Sequence, residues 1–120
     1  KKRKAYAAIS LTSNSAAITA IANDYGYENI FSRQLESIGK KNDILFALST
    51  SGKSKNIIKA LKFAKSKRLK SILLTSQNYK GSLKIANLVI KVPSKRVDRI
   101  QEMHIAIGHM ICEQIEKKIK

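Results

Sequence analysis

The residues best suited to chemistry in this chain lie at positions 49–54, which read S-T-S-G-K-S. The apolar run Ile44-Leu45-Phe46-Ala47-Leu48 precedes them and is typical of a strand buried on both faces. Ser54 is a good N-cap, and a helical pattern follows over residues 55–67. Hydroxyl groups, free backbone N–H groups and the positive end of a helix dipole would meet at one corner. This arrangement predicts an anion site, and the anion we expect is a phosphate.

The pattern at residues 49–54 differs from the better-known phosphate-binding loops. It matches neither G-x-x-x-x-G-K-[ST] nor G-x-G-x-x-G. A Ser/Thr/Gly corner between a strand and a helix also occurs as a simple turn with a capping residue and no ligand. The residue types alone leave both interpretations open.

The other segments predict strands that alternate with helices, which is the pattern of a parallel sheet. The predicted strands are residues 6–11, 43–48, 71–75 and 88–92. The predicted helices are residues 16–22, 29–38, 55–67 and 99–118. Residues 23–27 should break the first helix, and the polar stretch 76–82 should be a mobile loop. Ligands of parallel sheets bind beyond the carboxyl ends of the strands, where residues 12–15, 49–54 and 75–77 would gather.

Length and composition predict one domain over residues 1–120, without an internal linker. No apolar run approaches the ~20 residues that span a bilayer. No apolar segment follows the basic residues 1–4, so a signal peptide is not predicted. Cys112, the single cysteine, excludes an internal disulfide and is expected to be a packed core thiol. These features favour a cytoplasmic protein without a membrane partner.

The net charge of +16 raises nucleic-acid binding as an alternative. The lysines, however, are spread through every segment of the chain. Lys55, Lys59 and Lys62 share one face of a predicted helix, opposite Ile58 and Leu61. The aromatic residues are few and are not interleaved with basic ones, so no surface for base stacking is predicted. We interpret the lysines as a solvated surface and do not expect nucleic acid as the partner.

The terminal helix at residues 99–118 carries both histidines of the chain, His104 and His109. Its apolar residues recur every three or four positions, at Ile100, Met103, Ile107, Ile111 and Ile115. Such a helix is expected to be buried by a partner element or by other subunits, where a histidine is usually hydrogen-bonded. Gln101 and His109 are separated by about 12 Å of helix rise and roughly 80° of rotation. The two side chains would have to stretch toward each other to bind one ligand. It is easier for each to serve a site shared with another chain or element.

Three motifs together resemble the phosphoheptose isomerases, a branch of the sugar-isomerase (SIS) domain family. They are A-N-D-Y-G-Y-E-N-I-F-S-R-Q at 22–34, G-K-K-N-D-I-L-F-A-L-S-T-S-G-K-S at 39–54 and D-R-I-Q-E-M-H-I-A-I-G-H at 98–109. The resemblance covers essentially the whole chain. It implies an α/β three-layer sandwich with a parallel, flavodoxin-like sheet, lacking the family's N-terminal helices and first strand. It also implies isomerisation of sedoheptulose 7-phosphate to D-glycero-D-manno-heptose 7-phosphate through an enediol, for the heptose of bacterial lipopolysaccharide.

The resemblance implies roles for individual residues. The substrate phosphate would be held by Ser49, Thr50, Ser51 and Ser54. The sugar would be contacted by Asn23, Asp24 and Gln101. Gln101 and His109 would be zinc ligands, His109 would also be the only base in this chain, and Asp98 would lie near the reacting end. The expected partners are a phosphorylated heptose and further copies of the chain, because family members form tetramers with active sites between subunits.

The chain also departs from the family pattern. The family's first strand leads into a C-G-N-G-G-S-type loop, and the next helix supplies a histidine ligand and a catalytic glutamate that have no counterpart here. Isomerisation needs a base that reaches both C1 and C2, and two zinc ligands are fewer than the usual three or four. We therefore expect little isomerase activity from this chain alone. A missing strand should also expose a sheet edge and leave one face uncovered, which favours association.

Two other functions are compatible with the resemblance. One is a non-catalytic SIS module that assists replication initiation through a partner protein. The other is a SIS domain that only senses a phosphosugar, which would keep residues 49–54 but would not need His109. The presence of both Gln101 and His109 favours the enzyme.

Overall fold

The computed structural model describes residues 4–119, so the predicted domain 1–120 extends beyond the described range at both ends. Within this range the strands are β1 (Ile44–Leu48), β2 (Lys70–Ser76) and β3 (Leu88–Val92). The helices are α1 (Ser15–Tyr25), α2 (Ile30–Ile38), α3 (Lys55–Ser66) and α4 (Val97–Lys118). Short 3-10 turns occupy Tyr27–Asn29 and Leu83–Ile85. None of the described helices has the length and apolar character needed to cross a membrane.

The sheet is parallel, with the strand order β1-β2-β3. Its register pairs Ala47 with Leu73 and Leu73 with Val89, so these side chains share one face. α3 covers this face, and Leu61 of α3 is fully buried in the core cluster there. α4 packs against β2 and β3 on the opposite face through the buried residue Ile100. The predicted α/β architecture of helix, sheet and helix layers is confirmed.

The prediction that β1 is buried on both faces is wrong. Ile44 and Leu48 are 62% and 47% exposed, whereas Ala47 on the α3 side is only 4% exposed. The reason is that β1 is an edge strand of the described sheet, while α4 lies over β2 and β3. The described sheet therefore has an exposed edge at β1 and apolar side chains that no described element covers.

The predicted strand at residues 6–11 is not formed. This segment runs as irregular chain into a turn, where the N–H of Ser13 donates to the carbonyl oxygen of Ser10 at 3.2 Å. A strand requires a hydrogen-bonded neighbour, and the three-stranded sheet of the described residues does not include this segment. Leu11 nevertheless packs against the core cluster that contains Leu35 and Ala64.

Other predicted elements are close to the observed ones. The strands at 43–48, 71–75 and 88–92 and the helices at 29–38, 55–67 and 99–118 are confirmed to within two residues at each end. The first helix is longer than predicted, because α1 continues through Asn23 and Asp24. The helix ends instead at Gly26, which has a φ of 90° and donates its N–H to the carbonyl oxygen of Ala22.

Two predictions about burial are reversed. Tyr79 is 5% exposed and belongs to the core cluster, so the centre of the stretch 76–82 is packed rather than mobile. Cys112 is exposed and is not a core thiol. It lies outside the side of α4 that faces the sheet, where Ile100 and His104 are the buried residues. Both differences arise because burial depends on which element packs alongside, and local residue types do not reveal this.

Candidate functional site

The carboxyl end of β1 leads into a tight loop at residues 49–54 beside the start of α3. The N–H of Ser49 donates to the carbonyl oxygen of Leu74 at 3.0 Å and continues the pairing of β1 with β2. The N–H of Gly52 turns back and donates to the carbonyl oxygen of Ser49 at 3.2 Å and to its Oγ at 3.1 Å. Gly52 can make this turn because its φ is 65°, a conformation that L residues rarely adopt.

The loop gathers the predicted phosphate-binding hydroxyls at one corner. The hydroxyl oxygens of Ser49 and Ser54 lie 3.2 Å apart. Ser51 is exposed and accepts a hydrogen bond from the N–H of Lys53 at 3.1 Å, and Thr50 is half-buried. We call these residues, 49–54, the serine corner.

Ser54 occupies the N-cap position of α3 as predicted, but its side chain makes no capping hydrogen bond. Its hydroxyl faces Ser49 instead. The N–H of Ile57 donates to Asn56 Oδ1 at 2.8 Å, which leaves the N–H groups of Lys55 and Asn56 at the start of α3 for another acceptor. The first turn of α3 also contains no acidic residue. Free N–H groups, two hydroxyls and a positive dipole end are the donors that a phosphate group needs.

Two residues outside the serine corner, Thr75 and Tyr79, lie close to Gly52. Thr75 is fully buried, and its Oγ1 has no hydrogen-bond partner among the described residues. A β-carbon at Gly52 would lie 3.0 Å from Thr75 Oγ1 and would overlap the ring of Tyr79. Sequence reasoning had grouped residue 75 with the strand ends but missed Tyr79. The available signal was a single aromatic residue within an otherwise polar stretch.

The predicted sugar-binding residues of α1 lie side by side. The Asn23 side-chain amide donates to the Asp24 carboxylate at 2.8 Å, and both residues are exposed. The turn that follows α1 is tied to α3, because Lys59 Nζ lies 3.0 Å from Asn29 Oδ1 and 3.4 Å from Glu28 Oε1. The structure therefore connects the end of α1 to the helix that starts at the serine corner, without a hydrogen bond from Asn23 or Asp24 to that corner.

The predicted residues of α4 (Asp98, Gln101 and His109) are exposed. Arg96 binds the Asp98 carboxylate through Nε at 3.2 Å and Nη2 at 2.6 Å. This hydrogen bond is the largest cause that lowers the pKa of Asp98 below its usual value. Gln101 and His109 are exposed, and no hydrogen bond within residues 4–119 joins either side chain to the corner.

His104 connects α4 to the strand end beneath the serine corner. It is 4% exposed, and its Nε2 lies 3.2 Å from the carbonyl oxygen of Thr75. The expectation of a hydrogen-bonded, buried histidine is confirmed for His104, whereas His109 is exposed.

The donor set does not fit a zinc ion held by this chain alone. No group of three or more His, Cys, Asp or Glu residues that could hold a metal occurs in the part of the chain that the structure describes. Gln101 and His109 lie on one helix, about 12 Å apart along its axis. Because protein zinc sites usually have three or four ligands, this pair would need further ligands from elsewhere.

Comparison with known proteins identifies close relatives. Residues 1–76 match the SIS domain family. The chain is 44% identical to the phosphoheptose isomerase of Akkermansia muciniphila, over 98% of this chain and 62% of that protein. It is 47% identical to the phosphoheptose isomerase of Sulfurimonas denitrificans, over 98% of this chain and 60% of that protein. The chain thus spans about three fifths of the length of these relatives.

Solved structures share the fold. The phosphoheptose isomerase from Neisseria gonorrhoeae superposes with a TM-score of 0.88 and 38% identity, over 92% of this chain and 62% of that chain. The phosphoheptose isomerase from Francisella tularensis gives a TM-score of 0.85 and 36% identity, over 91% of this chain and 59% of that chain. The family match includes β1, the serine corner, α3 and β2, which are the elements that build the candidate site. With its sheet, its corner and its close relatives in agreement, this chain belongs to the SIS domain family.

Proposed function

We propose that this chain is the phosphosugar-binding part of an aldose–ketose isomerase that acts on a phosphorylated heptose. The observation that carries the proposal is the serine corner, where the hydroxyls of Ser49 and Ser54 lie 3.2 Å apart at an α3 start that contains no acid. Relatives named phosphoheptose isomerase support the sugar-phosphate class of substrate. The proposed reaction is the conversion of sedoheptulose 7-phosphate to D-glycero-D-manno-heptose 7-phosphate, a step toward lipopolysaccharide heptose.

In the proposed mechanism the serine corner, with Thr50 and Ser51, holds the phosphate and so fixes the far end of the sugar. Asn23, Asp24 and Gln101 bind sugar hydroxyls. Isomerisation then moves a proton between C1 and C2 through an enediol, and this requires a base that reaches both carbons. His109 is the proposed base, since its side chain is exposed and available to a bound sugar.

Asp98 is proposed to lie near the reacting end of the sugar. Arg96 lowers its pKa, so Asp98 stays ionised and acts as a hydrogen-bond acceptor for a sugar hydroxyl. Because the donor set on this chain is incomplete, zinc binding remains a proposal that requires ligands from another segment or chain. If zinc binds, it would polarise the sugar oxygens.

Assembly with further copies is part of the proposal. The exposed apolar side chains of α4, among them Met103, Ile105 and Met110, offer a surface for another subunit. A tetramer with sites between subunits would bring additional groups to Gln101 and His109. The proposed cytoplasmic location rests on the sequence expectation alone.

Two measurements on the 120-residue chain test the function. Calorimetry with sedoheptulose 7-phosphate should show saturable binding, and free inorganic phosphate should compete with it. Turnover, followed by NMR detection of the heptose product, should be weak or absent in the isolated chain. Failure to bind the sugar phosphate would contradict the proposal, and turnover equal to that of a full-length relative would contradict the expected need for further residues.

A phosphosugar sensor without turnover is the second candidate. It is favoured by the paired hydroxyls of Ser49 and Ser54, since no hydrogen bond among the described residues joins Gln101 or His109 to the serine corner. The enzyme proposal predicts that His109→Ala removes turnover from the assembled protein with little effect on phosphate binding. The sensor proposal predicts no turnover in the wild-type protein or in the His109→Ala variant.

A further inference from the structure

The ring of Tyr79 fills the space beneath the serine corner. A β-carbon at Gly52 would overlap Cδ2 of this ring and would lie 2.9 Å from its Cε2. A β-carbon at Gly81 would lie 2.5 Å from the Tyr79 hydroxyl oxygen. One aromatic ring therefore lies between two glycines, and one of them is the turning point of the corner.

Tyr79 is itself held from several directions. Its hydroxyl donates to the carbonyl oxygen of Ser82 at 3.0 Å, and its own carbonyl oxygen accepts a hydrogen bond from Lys91 Nζ at 3.0 Å. The Tyr79 N–H donates to the carbonyl oxygen of Ser76 at 3.1 Å. The side chain is 5% exposed and packs in the cluster that includes Ala47 and Leu61. These contacts hold the Tyr79 ring in one position beside Gly52.

Hydrogen bonds within the serine corner restrain its turning point, Gly52, only through Ser49. The N–H of Gly52 bonds only to Ser49, and its φ of 65° is one of several conformations that glycine adopts with ease. Among residues 4–119, Thr75 Oγ1, the other atom close to Gly52, has no hydrogen-bond partner. Packing against the Tyr79 ring therefore adds to these hydrogen bonds and excludes positions of Gly52 that would overlap the ring.

We propose that Tyr79 is a positioning residue for the anion site: its ring holds Gly52 in the left-handed conformation and so sets the spacing of the Ser49 and Ser54 hydroxyls. The inference rests on the proposed phosphate binding at this corner. Hydrogen bonds weaken steeply once the donor–acceptor distance exceeds ~3.2 Å or the angle falls below about 120°. Without the Tyr79 ring, the serine corner would therefore lose affinity for phosphate, although every phosphate-binding group would still be present.

The test compares Tyr79→Phe and Tyr79→Ala in the full 120-residue chain. The affinity for sedoheptulose 7-phosphate and for inorganic phosphate is measured by calorimetry, and the exchange rate of the Gly52 amide hydrogen is measured by NMR. Tyr79→Phe keeps the ring and should change the affinity by less than about two-fold. Tyr79→Ala should weaken binding by about ten-fold, the scale of one lost hydrogen bond to a charged group, and should accelerate exchange at Gly52. Tyr6→Ala, a substitution at an exposed tyrosine, is the matched control.

A double-variant comparison separates positioning from general loss of packing. Gly52→Ala collides with the Tyr79 ring in the wild-type background. In the Tyr79→Ala background that collision is absent, and what remains is the approach to Thr75 Oγ1 at 3.0 Å and the strain of a φ of 65°. Its effect on affinity and on Gly52-region exchange should therefore be smaller in the double variant, since contacting residues are not additive. Equal effects in both backgrounds would overturn the inference, as would a folded Tyr79→Ala protein with wild-type affinity and exchange. If Tyr79→Ala does not fold, Tyr79→Leu replaces it, with the same expected direction.

The two proposals can fail separately. If the wild-type chain binds neither sedoheptulose 7-phosphate nor inorganic phosphate, the proposed function fails. The exchange rate of the Gly52 amide hydrogen, measured in the ligand-free protein, then tests the role of Tyr79. Unchanged exchange in the alanine variant would overturn the positioning role, and faster exchange confined to the corner would support it.

Discussion

His104 Nε2 lies 3.2 Å from the carbonyl oxygen of Thr75, at the point where β2 ends. The Thr75 hydroxyl lies close beneath Gly52, on the α3 side of the sheet. One residue of β2 therefore contacts α4 through its backbone and the serine corner through its side chain. This contact also bears on the placement of Gln101 and His109, because both lie on the same helix as His104.

Replacing His104 with leucine should destabilise the fold. The carbonyl oxygen of Thr75 would lose the hydrogen bond from the buried His104 ring, and such a bond contributes about 0.5–1.5 kcal/mol. Urea unfolding measures the change in the free energy of unfolding. The exposed His109→Leu variant is the matched control and should change stability by no more than about 0.5 kcal/mol. Equal stability of the two variants would show that the Thr75 contact contributes nothing.

Removing a hydroxyl from the serine corner should weaken phosphosugar binding. Ser51→Ala should reduce the binding free energy for sedoheptulose 7-phosphate by about 1 kcal/mol or more, the scale of a hydrogen bond to a charged group. Ser49→Ala should have at least as large an effect, because the Ser49 hydroxyl also accepts a hydrogen bond from the N–H of Gly52. Ser66→Ala, at the other end of α3, is a control that should leave the affinity unchanged. Calorimetry that shows the same affinity for all three variants would place the phosphate elsewhere.

The Arg96–Asp98 ion pair should make the stability of the fold depend on pH. Arg96 lowers the pKa of Asp98 in the folded protein, so the pair stabilises the fold above the ordinary pKa of an aspartate. This contribution is lost as the pH falls through the lowered pKa of the folded state. Arg96→Ala should therefore raise the pKa of Asp98 toward its ordinary value, as followed by NMR titration of the carboxyl carbon. Arg99→Ala removes the partner of Glu102 instead and should leave the Asp98 titration unchanged.

The uncovered face of the sheet predicts association between copies of this chain. Ile44, Phe46 and Leu88 are exposed on that face, and apolar side chains presented together favour contact with another surface. Sedimentation velocity should show a mass that increases with protein concentration. Ile44→Lys should shift the distribution toward the monomer, whereas Ile9→Lys, at an exposed isoleucine outside the sheet, should not. A wild-type chain that remains monomeric at high concentration would contradict this prediction.

Local patterns were sufficient for most of the elements and for the serine corner. The apolar runs of β1, β2 and β3 and the helical spacing of α2, α3 and α4 each lie within one short segment, so the residues alone indicate them. The corner at 49–54 was predicted for the same reason, since a strand end, small hydroxyl residues and a helix start follow one another directly. The motifs at 22–34, 39–54 and 98–109 then pointed to the family that the comparisons identify.

The tertiary structure alone decided what each segment packs against. Residues 6–11 have the composition of a strand but no pairing partner in the described sheet, and β1 has an apolar face that nothing covers. Tyr79 sits in a polar stretch, yet the fold brings it beneath Gly52 and buries it. The physical reason is that periodicity reports the conformation of a segment, whereas strand pairing and burial depend on neighbours that are distant in sequence.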